Sequence, residues 1–359
     1  MNKLEKARIE INAIDEKMAD LFVQRMNAVA QVVAYKAENN LPVLDEKREA
    51  EVLKKNVSRL DNTEHSDLKP YYAEFLQDLM DVSKSWQKSV LNKNTVGYQG
   101  TNGAFSCIAA KKIYPNAKHT AYPCFEDVFK AVENGEVAYG VIPFENSYTG
   151  EVGEVIDLLL SYDLHIIDSF DLTVSQNLLG VKGATIEDIK EVYSHQQALS
   201  QCSDYCTKNH WQAVPYSNTA LAAEYVAKCN DKTKAAIASL ETAEIFGLSV
   251  LAKNINTSAY NTTRFMVISK EESFSGNRFN MLFTVGHEAG QLAKVMSIFG
   301  DFGYNLESIK SRPMKNLAWQ YYFYAEIIGN LKDENTINLL GKLKETCNYL
   351  KILGSYTIK

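Results

Sequence analysis

The run Tyr139-Gly140-Val141-Ile142-Pro143-Phe144-Glu145-Asn146-Ser147-Tyr148-Thr149-Gly150 decides how the middle of the chain folds. Its opening, Tyr139–Ile142, reads as a short strand, and three polar side chains, Glu145, Asn146 and Ser147, cluster beyond the strand's carboxyl end. Open α/β sheets bind their ligands at that end. The alternative is a plain helix start with Ser147 or Thr149 as its cap. Outward from this run, strand-like Thr95–Tyr98 and Ala235–Ala238 alternate with helix-like Phe125–Val132, Gly153–Leu160 and Ala220–Ala227. That alternation predicts an α/β fold over residues 95–270.

Two more polar elements lie in the same region. Gly100-Thr101-Asn102-Gly103-Ala104-Phe105-Ser106 follows a strand and opens a helix, a place where anions bind helix N-termini. It lacks the Gly-Lys-Ser/Thr of a nucleotide loop and the third glycine of a dinucleotide fingerprint. Asn261-Thr262-Thr263-Arg264-Phe265 precedes an expected strand at Met266–Ser269, and there Arg264 is either a carboxylate anchor or a surface charge.

Residues 1–91 read as helix nearly throughout, since the first glycine is Gly97 and the only prolines are Pro42 and Pro70. Leu4, Ile11, Ile14, Met18, Leu21, Val29 and Val32 recur at helical spacing and predict a first helix of about 35 residues. Residues 39–42 end it. Asp45 caps a second helix running through Val57, and Lys69–Val90 forms a third. A first helix this long cannot bury its stripe against two shorter ones, so a partner chain is expected.

That stripe carries cations. At 100° per residue, Arg25 and Lys36 lie about 20° apart, with Val29 and Val32 between them. A buried charge needs an anion. Asp45 or Glu49 would supply one as an internal salt bridge; the alternative is an anionic ligand lodged between helices, where bundles build sites. Ser83 and Gln87 fall in register with Leu76, Leu79, Met80 and Val90, so neutral donors face the same interior. Arg8 lies about 100° off the stripe and would contribute across a dimer.

Beyond a polar linker, Glu271–Asn277, the pattern is strand (Met281–Val285), helix (Gln291–Phe299), strand (Leu306–Arg312), strand (Trp319–Ile328), helix (Glu334–Thr346) and strand (Leu350–Ile358). This βαββαβ order is the ferredoxin-like plan. Three domains are therefore expected, at 1–91, 95–270 and 278–359.

Composition narrows the function. A net charge of −6 over 359 residues argues against a nucleic-acid binder, which would show a basic patch. The most apolar stretch, Val155–Ile167, is interrupted by Asp157, Asp163 and His165, so no membrane span is expected. Met1–Lys6 opens into a charged helix without a signal-peptide core, which predicts a cytoplasmic protein. The cysteines (107, 124, 202, 206, 229, 347) are scattered rather than framework-like. Cys202, Cys206 and His210 could share a helix face, but three ligands without a fourth read as core rather than zinc. No metal or other cofactor is expected.

At this point the residues resemble known families. Arg8, Arg25, Lys36, Pro42, Asp45, Arg48, Glu49, Ser83 and Gln87 match in type and spacing the site of the all-helical chorismate mutases, over residues 4–91. The resemblance implies that Arg8 (from the partner subunit), Arg25 and Arg48 grip the carboxylates of chorismate. Lys36 and Gln87 would bond its ether oxygen, and Asp45 and Glu49 its ring-hydroxyl region. The glycine turn, the Glu145-Asn146-Ser147 block, Ser194-His195-Gln196-Gln197 and Thr263-Arg264-Phe265 resemble, in that order, the prephenate dehydratases. Those have a two-lobed α/β fold of periplasmic-binding-protein type. By that likeness Thr263 is the principal catalytic residue, while Glu145, Asn146, Ser147, Arg264 and Phe265 shape the cleft. His195 is read as structural. Thr101, Ala104 and Gln196 depart from the common pattern.

The C-terminal segment resembles the ACT domains attached to such dehydratases. Gly290-Gln291-Leu292-Ala293 and Lys310-Ser311-Arg312-Pro313 stand at the positions that bind phenylalanine between paired domains, with Lys310 replacing an acid. The allosteric set implied is Gly290, Leu292, Ala293, Ser311, Arg312 and Pro313. The whole implies a cofactor-free homodimer, or higher homo-oligomer, that takes chorismate to prephenate and prephenate to phenylpyruvate under phenylalanine control. The competing classes are a two-lobed solute-binding or sensory protein and a mutase with an inactive second domain.

Overall fold

A computed structural model describes residues 2–39, 46–61, 63–257, 260–315 and 320–357. Residues 1–93 with 134–136 form one compact unit, and 94–133 with 137–359 form another.

The first unit is α1 (Lys3–Glu38), α2 (Glu46–Val57) and α3 (Lys69–Leu91). With 36 residues, α1 is about 54 Å long. Its C-terminal half packs on α3, where Val33, Leu76 and Met80 are buried. Val33, not Val32, takes the buried position; Val32 stays exposed. Towards the N-terminus the rest of the stripe, Leu4, Ile11, Ile14, Met18 and Leu21, is exposed, because the shorter helices do not cover it. Pro42 and Asp45 lie outside the described residues.

The second unit opens with a lobe made of β1 (Thr95–Gln99), α4 (Phe105–Ile113), β2 (Lys118–Tyr122), α5 (Phe125–Glu133), β3 (Tyr139–Asn146), β4 (Gly150–Glu151), α6 (Gly153–Ser161) and β5 (His165–Thr173). A second lobe follows with β6 (Asn177–Gly180), β7 (Glu191–His195), α7 (Gln196–Gln201), α8 (Ser203–Lys208), β8 (Gln212–Tyr216), α9 (Thr219–Cys229), β9 (Lys234–Ala238), α10 (Leu240–Phe246) and β10 (Ser249–Ala252). The chain then returns through β11 (Thr262–Ser269) to the first lobe. Strand order is β2-β1-β3-β11-β5 in one sheet, with β4 on β3, and β10-β6-β9-β7-β8 in the other. The two crossings between lobes are bonded together: Val174 N–H donates to Asn261 O (2.7 Å) and Ile255 N–H to Gln176 O (2.8 Å).

β3 runs four residues past the expected end at Ile142. Its partner β1 reaches only Tyr139–Val141, so Pro143 leaves no β1 acceptor wanting. The ladder to β11 bulges there instead, pairing Phe265 with Pro143 and Arg264 with Glu145. Side chains of Glu145 and Asn146 therefore alternate across the sheet.

The last part is β12 (Arg278–Thr284), α11 (Gln291–Asp301), β13 (Leu306–Pro313), β14 (Tyr321–Ile328), α12 (Glu334–Thr346) and β15 (Tyr349–Tyr356), in the order β13-β14-β12-β15. This is the ferredoxin-like plan. One face packs Phe279, Met281 and Phe283 against Val295, Phe299 and Leu339 of its helices. The opposite face is not left to solvent: Leu282, Tyr322, Tyr324, Leu353 and Tyr356 share a core with Ile142, Phe144, Ile166 and Met266 of the first lobe. Gly354 permits the approach, since a Cβ there would lie 2.1 Å from Ile166 O.

Candidate functional site

Between the two lobes lies a cleft of about 360 Å³, lined by the ends of β3 and β11, the crossing residue Gln176, and the first residues of α4 and α9. Thr263, Asn146 and Phe265 all face it. Thr263 is the register partner of Asn146, and their side chains meet at 2.9 Å.

The hydrogen bonds around Asn146 determine which way each proton points. Asn146 Oδ1 accepts from the backbone N–H groups of Tyr148 (3.0 Å) and Thr149 (3.1 Å), so that atom is the oxygen. Asn146 Nδ2 must then donate, to Asn261 Oδ1 (2.8 Å), Thr263 Oγ1 (2.9 Å) and the carbonyl of Thr262 (3.3 Å). Thr263 Oγ1 is thus an acceptor towards Asn146, and its own proton is left for the cleft. The polarity continues outward. Asn261 Nδ2 donates to Gln201 Oε1 (3.0 Å), and Gln176 Nε2 reaches the same oxygen at 3.4 Å. Gln201 Nε2 and Gln176 Oε1 remain buried without a partner among the described residues, a donor and an acceptor at the cleft wall. Both are available to a polar group that enters the cleft.

Sequence reasoning named Asn146, Thr263 and Phe265 but missed Gln176, Gln201 and Asn261. Asn261 stood inside the quoted Asn-Thr-Thr-Arg-Phe run; the two glutamines carry no spacing signal. Ser147 sits just outside the cleft, where its Oγ donates to Tyr260 O (2.7 Å) and accepts from Thr262 N–H (3.0 Å), pinning the return crossing to β3. His195 caps α7, accepting at Nδ1 from Gln197 N–H (3.3 Å), while Gln197 Nε2 reaches Thr149 Oγ1 (3.2 Å).

Glu145 and Arg264 are not brought to the cleft. Because β3 and β11 continue through them, both side chains emerge on the face covered by the C-terminal sheet. Lys310 Nζ lies 2.6 Å from Glu145 Oε1. Arg264 pairs with Asp171 (3.1 Å) and with the buried Glu326 (3.4 Å). Burial disfavours the Arg264 cation, but the bond to Asp171 and the nearby Glu326 outweigh it and raise its pKa. Cys202 and Cys206 do not form a metal face with His210. Cys202 is the break between α7 and α8, His210 lies beyond α8 with φ +56°, and both thiols sit in the core. Burial pushes Cys202 up to about 12, which opposes a thiolate.

In the helical unit, Arg25 Nη1 donates to Ser83 Oγ, which in turn donates to Leu79 O (2.7 Å). Burial lowers the Arg25 pKa. Gln87 is 8% exposed, and its Oε1 has no partner among the described residues. Arg25, Ser83 and Gln87 are thus brought together between α1 and α3, and Lys36 is half-buried on the same helix as Arg25. Glu49 instead faces Lys84 (3.0 Å), a cation the sequence reading passed over, which also pairs with Asp81 (2.8 Å). Arg8 and Arg48 are exposed, the latter 3.7 Å from Glu51. Beside Arg25 an apolar groove of about 640 Å³, including Met18, Phe22 and Phe75, lies open.

The expected allosteric residues divide. Gly290 caps α11 at φ +84° and is exposed, as are Ala293, Ser311 and Pro313, while Leu292 packs on its own core. Arg312 points the other way, into the first lobe, where Nη2 meets both carboxylate oxygens of Asp157 (3.1 and 3.0 Å). Tyr322 and Lys315 bond the same carboxylate. Burial works against ionisation of Asp157, but these donors prevail and hold its pKa below the ordinary carboxylate value.

Comparison with known proteins adds the chemistry. The family model for chorismate mutase type II matches residues 7–88, and that for prephenate dehydratase matches residues 96–273. A bifunctional chorismate mutase/prephenate dehydratase of Aquifex aeolicus is 33% identical over 99% of this chain and 98% of its own length. Arogenate dehydratase 2 of Petunia hybrida is 37% identical over 73% of this chain and 71% of its own. Among solved structures, a prephenate dehydratase from Arthrobacter aurescens in complex with L-Phe superposes with a TM-score of 0.68 at 25% identity, over 74% of this chain and 90% of that one.

Proposed function

The chain belongs to the bifunctional chorismate mutases/prephenate dehydratases, and from that membership we propose how its two sites divide the work. It converts chorismate to prephenate and prephenate to phenylpyruvate. The observation that carries the second step is the free proton of Thr263, turned into the cleft by the fixed amide of Asn146.

The helical unit performs a rearrangement that needs no nucleophile and no net proton transfer, only a compact conformer and donors aimed at developing charge. Arg25, held by Ser83, anchors a carboxylate. Gln87 and Lys36 address the ether oxygen as its C–O bond breaks. Arg48 and Glu49 reach the substrate only by leaving Glu51 and Lys84, and Arg8 and Asp45 complete the site. A second copy covers the exposed α1 stripe and supplies Arg8.

In the cleft the ring carboxylate of prephenate leaves as carbon dioxide. Its bonding pair enters the ring and expels the ring hydroxyl, which takes one proton and departs as water. Thr263 O–H donates to that hydroxyl as negative charge builds on it. Gln201 Nε2 offers a donor to an anionic oxygen and Gln176 Oε1 an acceptor, while Phe265 floors the pocket. Residues 95–270 carry this step and 278–359 act as an ACT-type domain. The L-Phe complex of the Arthrobacter relative supports phenylalanine as effector, with Gly290, Ala293, Ser311 and Pro313 on the binding surface, Leu292 packed behind it and Arg312 relaying to α6.

The test is to give the purified protein chorismate with excess EDTA and follow phenylpyruvate. Its formation establishes both activities without a required metal. Prephenate that accumulates unchanged would defeat the cleft assignment, and untouched chorismate would defeat the assignment of the helical site.

A further inference from the structure

We infer that Lys310 is a positioning residue for the dehydration step, acting by closing the β3–β4 hairpin whose backbone N–H groups orient Asn146. The inference rests on the reading of the cleft given above.

The hairpin is short and electrostatically frustrated. β4 is Gly150–Glu151 alone, and its register sets Glu151 directly opposite Glu145 and Gly150 opposite Asn146. Like charges facing each other across an antiparallel pair destabilise it. Pairing on the far side of β3 is also weakened, because the bulge at Pro143 lies just before Glu145. One ammonium bridges the two carboxylates: Lys310 Nζ lies 2.6 Å from Glu145 Oε1 and 3.6 Å from Glu151 Oε2. It also stands 5.5 Å from the centre of the Phe144 ring. The Lys310 side chain is only 10% exposed, so water screens this attraction poorly.

The hairpin tip connects this charge to the chemistry. Tyr148 and Thr149, between β3 and β4, supply the N–H groups that fix Asn146 Oδ1. Asn146 then sets the direction of the Thr263 hydroxyl. Without the bridging cation the two glutamates repel, the tip withdraws, and the Asn146 amide loses the two backbone donors that fix its Oδ1. Lys310 touches neither substrate nor Thr263, so its effect belongs in kcat more than in KM. A misplacement near 1 Å at a reacting group costs about 10²-fold, and a partly opened hairpin should cost about 10- to 100-fold.

The experiment compares Lys310→Met, Lys310→Arg and the double variant Lys310→Met/Glu151→Gln. It reads prephenate dehydration, mutase activity of the same chains, and amide exchange at Tyr148 and Thr149. Lys310→Met should lower dehydration kcat with little change in KM, leave the mutase at wild-type rate, and speed exchange at the two amides. Lys310→Arg should retain most of the activity. Removing one of the opposed charges in the double variant should restore both rate and slow exchange, which simple loss of sheet packing would not allow. Unchanged amide exchange in Lys310→Met, or a loss that Glu151→Gln does not relieve, overturns the inference whatever the rates show. If exchange responds as described but the wild type leaves prephenate untouched, the reading of the cleft falls, and the catalytic role of Lys310 with it.

Discussion

The substitution Asn146→Asp changes one nitrogen into an oxygen and should reverse the direction of the Thr263 proton. In the native site Asn146 Nδ2 donates across 2.9 Å to Thr263 and 2.8 Å to Asn261 Oδ1. A carboxylate still accepts from Tyr148 and Thr149, but its second oxygen now faces the Thr262 carbonyl and two side-chain oxygens, those of Asn261 and Thr263. Both contacts become favourable only if Thr263 turns its proton inward and the Asn261 amide flips. The hydroxyl that should donate to the leaving group is then engaged elsewhere. Loss of one donor aimed at developing negative charge costs about 10²–10³ in rate, or roughly 3–4 kcal/mol of transition-state stabilisation. Steady-state assays of phenylpyruvate formation from supplied prephenate should show that loss in kcat, with KM nearly unchanged. Activity should partly return as pH falls, because the introduced carboxyl, once protonated, can again donate to Thr263. A variant that keeps kcat within about threefold of wild type and shows no altered pH profile would refute the argument from hydrogen-bond polarity.

Leu21 is 62% exposed on the open α1 stripe, so Leu21→Glu should shift the oligomer to smaller species in sedimentation and abolish mutase activity, while supplied prephenate is still dehydrated. Arg25→Ala should cost the mutase about 10²-fold or more and spare the dehydratase. Asp157 has a lowered pKa in the folded chain, so the stability it supplies is full above its unfolded value of about 4 and is lost as pH falls through the lower folded value. Accordingly, Asp157→Asn should cost about 2 kcal/mol in denaturant titrations at neutral pH, and the difference should vanish in acid.

Elements with a clear period were legible in the sequence. Lys69–Leu91, Gln291–Asp301 and Glu334–Thr346 fall within two residues of where apolar spacing places them. The strand containing Glu145 was harder, because Pro143 reads as a stop. Only the short reach of β1 and the bulge against β11 make a proline tolerable there, and neither is visible locally. That single extension moves Glu145 away from the cleft. The same alternation on β11 takes Arg264 to the far face and leaves Thr263 and Phe265 facing the cleft. Gln176 and Gln201 were illegible for another reason. A buried glutamine acquires meaning only from partners distant in sequence, here Asn261 and, through it, Asn146. Lys310, a charge reversal when read alone, finds its counter-charges on the β3–β4 hairpin, the nearer of them, Glu145, 165 positions away.

The most direct test of the account is a time course of chorismate conversion by the Thr263→Ala variant, resolving prephenate from phenylpyruvate. The account predicts that chorismate disappears at the wild-type rate and prephenate accumulates, with phenylpyruvate formation reduced by about 10² or more. Phenylpyruvate appearing at the wild-type rate would contradict it, because the hydroxyl directed into the cleft would then do no chemistry.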